Sequence, residues 1–116
     1  MNTPMEDDFF KAGISFHKKK LYKEAKHSYE KTIKINPNHL NAHNNLGIVL
    51  KELGNLNKSA ICFEHVLKIS PENIYGHYNL GLVYKELNKN QKALLCFSKV
   101  VKINPKHYSA YNNLGI

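Results

Sequence analysis

Three prolines, Pro37, Pro71 and Pro105, stand 34 residues apart, each closing the phrase Lys-Ile-Asn-Pro or Lys-Ile-Ser-Pro. The triplet Asn-Leu-Gly returns at the same interval, at Asn45-Leu46-Gly47, Asn79-Leu80-Gly81 and Asn113-Leu114-Gly115. A fixed period of this length constrains a chain more than composition does. Each unit is one supersecondary element that cannot bury its apolar face alone, so the units must stack. Aligned on the prolines, the 116 residues form a single domain of three full units, 6–39, 40–73 and 74–107, and a partial one, 108–116.

Within each unit the apolar spacing is helical. Leu80, Gly81, Tyr84 and Leu87 follow a three/four rhythm, and so do Ala93, Phe97, Val100 and Val101. Each unit therefore reads as two helices. Between them, Gly54 and Asn88 suit the left-handed conformation that ends a helix, whereas the first unit offers Lys20. The prolines separate one helix pair from the next. Thr3-Pro4-Met5-Glu6 reads as a capping box, and the carboxylates of Glu6, Asp7 and Asp8 complement the positive end of the first helix dipole.

Over residues 6–116 this pattern resembles the tetratricopeptide repeat family. The resemblance rests on the period, the Leu-Gly pair, the small residue at Ala25, Ser59 and Ala93, the aromatic four later at Tyr29, Phe63 and Phe97, and the closing proline. Phe9, His43 and His77 stand where the family places Trp, and Ala12 replaces a Leu. The resemblance implies an all-α fold, a right-handed superhelix of antiparallel helix pairs. Its first helices line a concave groove and its second helices lie outside.

On each first helix, Leu46, Gly47 and Leu50 (with their counterparts) form the stripe toward the partner helix, while Asn45 shares another face with Asn41, Ile48 and Glu52. The resemblance points that face into the groove. Stacking then builds rows: Lys11, Asn45, Asn79, Asn113; Ile14, Ile48, Leu82, Ile116; and Lys18, Glu52, Glu86. Lys51 and Lys85 lie one step around, after His17, and Phe10, Asn44, Tyr78 and Asn112 form the other flank. Side-chain amides carry a donor and an acceptor each, so a row of them can bond an extended peptide backbone whatever its sequence. Aliphatic neighbours, expected to be exposed, would take apolar peptide side chains. The expected peptide-binding residues are Phe10, Lys11, Ile14, Asn41, Asn44, Asn45, Ile48, Lys51, Tyr75, Tyr78, Asn79, Leu82, Lys85 and Asn113. The stretch Asn44–Gly54 also resembles the repeats of O-linked N-acetylglucosamine transferases, which carry such a ladder, although that enzyme's catalytic domain is absent here.

Other chemistries find little footing. The chain has no Gly-rich phosphate loop, nucleophile motif or paired-carboxylate site, so it reads as non-enzymatic, with no cofactor. Of seven histidines only His39 and His43 have ligand spacing, with nothing obvious to complete a metal site. Cys62 and Cys96 occupy equivalent positions of neighbouring units, too far apart for a disulfide. The formal charge of +8 comes from 17 lysines and no arginine. The fork that reads guanine edges is therefore missing, and many lysines fall on second helices as a solvated outer face. Nucleic acid is a weaker alternative than an acidic peptide. The carboxylate clamp that some tetratricopeptide modules use on heat-shock chaperone tails needs Lys and Asn in the first unit, Asn in the second, and Lys and Arg in the third. Phe10, Ile14, Asn45, Tyr75 and Asn79 stand there, and only Asn45 fits. No run is long and apolar enough for a membrane span, and the acidic start is no leader, so a cytoplasmic or nuclear address is expected. The last unit stops within its first helix. The expectation is a piece of a longer array, with Tyr111, Leu114 and the Phe97/Val101 face of helix 90–103 left open to pair with a second copy or stack end to end.

Overall fold

The computed structural model describes residues 6–115, which fold as seven α-helices and no strand. These are α1 (Glu6–Lys18), α2 (Tyr22–Ile35), α3 (Leu40–Glu52), α4 (Leu56–Ile69), α5 (Ile74–Glu86), α6 (Asn90–Ile103) and α7 (Tyr108–Leu114). Each packs on its chain neighbours, and the first helices α3 and α5 also touch directly. The result is an elongated stack of 53 × 25 × 21 Å.

The turn inside each pair is set by one left-handed residue: Lys20 (φ 61), Gly54 (φ 82) and Asn88 (φ 60). That geometry lets Leu21 N–H reach Phe16 C=O at 2.9 Å, Asn55 reach Leu50 at 2.8 Å and Lys89 reach Tyr84 at 2.8 Å, closing carbonyls the helix leaves open. Lys20 adopts the strained conformation despite its side chain.

The turn between pairs is built differently. Asn36 and Asn104 accept from the backbone N–H of Asn38 and Lys106 through their side chains, bracketing the proline. The next helix is then capped by His39 Nδ1 (accepting from Ala42 N–H, 3.0 Å), Asn73 Oδ1 (from Gly76, 2.9 Å) or His107 Nδ1 (from Ala110, 3.2 Å). Histidine is an uncommon cap, and it works here only while Nδ1 is unprotonated. His43 and His77, expected as stand-ins for a packing aromatic, also donate Nε2–H to the carbonyls of Pro37 and Pro71 at 2.7 and 2.8 Å. The capping box at residues 3–6 falls mainly outside the described residues, as does Ile116; Glu6 accepts from Asn36 Nδ2 at 2.9 Å.

Inside each pair a second-helix ring lies flat on a first-helix glycine. A β-carbon on Gly13, Gly47 or Gly81 would stand 2.5, 2.6 or 2.7 Å from Tyr29, Phe63 or Phe97. These glycines supply room rather than backbone freedom. Phe97 is consequently 1% exposed, so it forms no part of an open C-terminal face; the exposed apolar side chains there are Leu94, Leu95, Ile103 and Tyr108. Cys62 and Cys96 are free thiols, each pushed up to about 11 by burial first and by a nearby carboxylate second, which makes them poor nucleophiles.

Candidate functional site

The row through Lys11, Asn45, Asn79 and Asn113 lies on the first helices α1, α3, α5 and α7. Its members differ in what they already touch. The Asn45 side chain lies beside the Tyr29 hydroxyl in the same recess, and that hydroxyl meets His17 Nδ1 at 3.3 Å. Burial pushes that hydroxyl up to about 12, and the Asn45 side chain pulls the other way. Phe63 and Phe97 occupy the equivalent second-helix position without an oxygen, and among the described residues no side chain bonds Asn79. Asn113 accepts from Lys85 Nζ at 3.0 Å and donates to Ser109 C=O at 2.9 Å. The amides are thus not equivalent.

Ile14, Ile48 and Leu82 were expected to be exposed. They are half-buried, Ile14 packed against the cluster around Tyr29 and the other two against the cluster around Phe63 and Phe97. The reason is that the groove floor doubles as the roof of the core. Ile14, His17, Lys18, Tyr29 and Asn45 line a recess of about 370 Å³ in this face. Lys11 pairs with Asp7 at 3.4 Å and Lys51 with Glu86 at 3.8 Å. Ion pairs this near the surface are worth little and open readily for a ligand.

The flank differs most from expectation. Phe10 stacks on His39 with ring centres 4.6 Å apart, and Tyr78 on His107 at 4.7 Å. Between them in register, Asn44 Nδ2 donates to Asn73 Oδ1 at 3.4 Å. Each residue therefore meets the cap of the next helix pair. Asn44 is 6% exposed, and its Oδ1 has no partner, so it is a junction residue withdrawn from the groove surface. Asn41 and Tyr75 remain open, Tyr75 at 70% exposure. Sequence reasoning missed the Tyr29–Asn45 contact and the histidine caps. The first was signalled only by Tyr replacing Phe once, the second by His recurring at 39 and 107 beside Asn73. Among the described residues no group of His, Cys, Asp and Glu is placed to hold a metal, and no helix is long and apolar enough to cross a membrane.

Stacked antiparallel pairs with a groove along their first helices define an α-solenoid repeat protein. Four tetratricopeptide repeat models match, at residues 9–39, 28–59, 49–88 and 74–107, and together they run from 9 to 107. The chain belongs to the tetratricopeptide repeat family. No curated protein matches it significantly. Among solved structures it is similar to the first tetratricopeptide domain of Spaghetti (RPAP3) bound to the HSP90 peptide SRMEEVD: 16% identity, 99% of this chain, 91% of that one, TM-score 0.93. The Arabidopsis OM64 domain follows at 18% identity, covering 95% and 91%, with a TM-score of 0.91. YrrB, described as a tetratricopeptide protein with an unusual peptide-binding site, matches at 24% identity and TM-score 0.92. That match takes 99% of this chain but spans only 59% of YrrB. At these identities the likeness is one of fold.

Proposed function

We propose that this chain is a protein-interaction module, built of repeats 6–39, 40–73 and 74–107 plus the first helix of a fourth, that binds an extended peptide segment in its first-helix groove. The observation carrying this reading is Asn79. Its amide lies in the groove row with no side-chain partner among the described residues, beside half-buried Leu82 and one turn from exposed Tyr75. An unengaged amide next to apolar footing is what an extended backbone with an alternating side chain requires. Lys11, His17, Lys18, Lys51 and Lys85 near the same surface favour an acidic segment over a basic one.

Peptide binding by Spaghetti and YrrB supports the class of ligand. It does not carry the HSP90 tail across, because Phe10, Ile14, Tyr75 and Asn79 stand where a carboxylate clamp needs other residues. An array of overlapping extended peptides, followed by anisotropy titration of the best binder, tests the proposal. Asn79→Ala should weaken that binder roughly tenfold, the worth of one or two hydrogen bonds left unmade, with only modest dependence on salt. Affinity unchanged by Asn79→Ala, or a steep loss with salt of the kind phosphate binding shows, would remove the amide ladder from the account. A second reading, self-association through α6 and α7, draws on Leu95, which is 73% exposed, together with Leu94, Ile103 and Tyr108. Light scattering at high concentration decides it: a mass that stays at 13.3 kDa and ignores Leu95→Lys excludes the dimer.

A further inference from the structure

A second recess, of about 450 Å³, opens between α2 and the α3–α4 turn, lined by Lys23, Lys26, His27, Leu50, Leu53 and Asn55. It shares no residue with the groove recess. Three of its six lining residues are basic, and no carboxylate lines it. Glu30 is turned to His27 Nδ1 at 3.9 Å, and Glu24 borders a neighbouring depression that shares Lys23 and His27.

The same place one repeat further on is already occupied. Tyr84 stands 34 residues after Leu50, and its hydroxyl donates to Glu64 Oε2 at 2.6 Å. The ammonium groups of Lys89 and Lys92 lie 6.0 and 5.6 Å from the centre of its ring. The positions matching Lys23, Lys26 and His27 are Asn57, Ala60 and Ile61, so that seam carries no cationic second-helix wall. One seam is thus filled by a phenol bound to a carboxylate. In the other the phenol is cut back to Leu50, and the charge has moved onto the facing helix.

We propose that the recess between α2 and the α3–α4 turn receives a glutamate or aspartate side chain of a protein partner. The lysines are the cations for its carboxylate, and the His27 imidazole and the Asn55 amide are further hydrogen-bonding groups. Leu50, buried, and Leu53 form an apolar wall against which the methylene stem can pack. Lysine ammoniums act as point charges and impose no planar fork, which suits a single carboxylate approaching along that wall. The cations continue along α2 through Lys31 and Lys34, but the Leu50/Leu53 wall suits a side chain with a methylene stem better than a nucleic acid backbone.

The test uses the full chain, isotope-labelled for NMR, with a hexaglutamate peptide, a six-nucleotide RNA and inorganic phosphate as probes. Hexaglutamate should shift the amides of Lys23, Lys26, Leu53 and Asn55. Leu50→Tyr, which restores the repeat's own filling without removing any charge, should weaken it roughly fivefold or more, as should Lys23→Gln/Lys26→Gln. Asn79→Ala should leave this binding intact, which separates the recess from the groove. Should Leu50→Tyr lose its folded spectrum, the lysine pair on α2 carries the test alone. Shifts spread over every lysine with both variants binding like wild type would overturn the proposal. So would RNA or free phosphate binding these residues as tightly as the peptide.

Discussion

A β-carbon on Gly81 would stand 2.7 Å from Cε1 of Phe97, closer than real side-chain carbons approach one another. The ring is 1% exposed and closed in further by Tyr78, whose ring centre is 5.8 Å away, so it has nowhere to go. Gly81→Leu should therefore cost about 1–3 kcal/mol or more through overpacking. Urea titration followed by circular dichroism measures it. A midpoint equal to or above wild type would show that the glycine–ring contact is not what spaces the helices.

The two central amides should part company. Asn45→Ala removes a polar neighbour from the Tyr29 hydroxyl, which keeps His17, and should lower stability by about 0.5–1 kcal/mol. Asn79→Ala has no such partner to strand and should stay within about 0.5 kcal/mol of wild type. Tyr29→Phe, which makes the first pair like the others, should erase the difference. Equal melting curves for the two alanine variants would contradict the contact.

Lys20→Gly should stabilise. Lys20 holds φ at 61, where a side chain is crowded by the following carbonyl, and Gly54 fills the matching position in the next turn. Relief of about 1 kcal/mol is expected, with a similar loss for the reverse experiment, Gly54→Ala. Thermal melts of both variants, read against wild type, check the pair of signs together.

Acid should weaken the fold. Burial holds His43 below the ordinary histidine value of 6.5; its bond to Pro37 C=O opposes that shift, and the neighbouring His65 and His39 reinforce it. The unfolded chain therefore binds the extra proton first. His43's contribution is complete above 6.5 and is lost as pH falls from there through its depressed folded value. Melting temperature should fall between pH 7.5 and 5.5, and His43→Phe should flatten the slope. A flat profile for the wild type would remove the buried imidazole from the account.

The period, the helix pairs and the left-handed turns were legible because each depends on residues close in sequence. Lys20 and Asn88 take positive φ because the turn length demands it, whatever the side chain prefers. The groove was legible only in outline. Which face Asn45 occupies follows from helical spacing, but whether its amide is engaged depends on Tyr29 carrying an oxygen that Phe63 and Phe97 lack. The contacts of Phe10, Asn44 and Tyr78 were not legible for a related reason: each meets a residue 29 positions later, and that meeting is fixed by how far one pair slides over the next. No local pattern encodes that slide.

The junctions between successive pairs are made of unlike materials. The first is held by the Phe10–His39 stack and the buried contact of Asn45 with Tyr29, the second by Asn44–Asn73, the Lys51–Glu86 pair and Lys99–Glu72 at 3.1 Å. A stack of identical repeats would behave as a uniform spring. Here the second joint also carries the 2.6 Å Tyr84–Glu64 bond and an apolar cluster continuous from α4 to α5. Screening its ion pairs would therefore leave both joints stiff and the curvature of the groove fixed over ordinary salt.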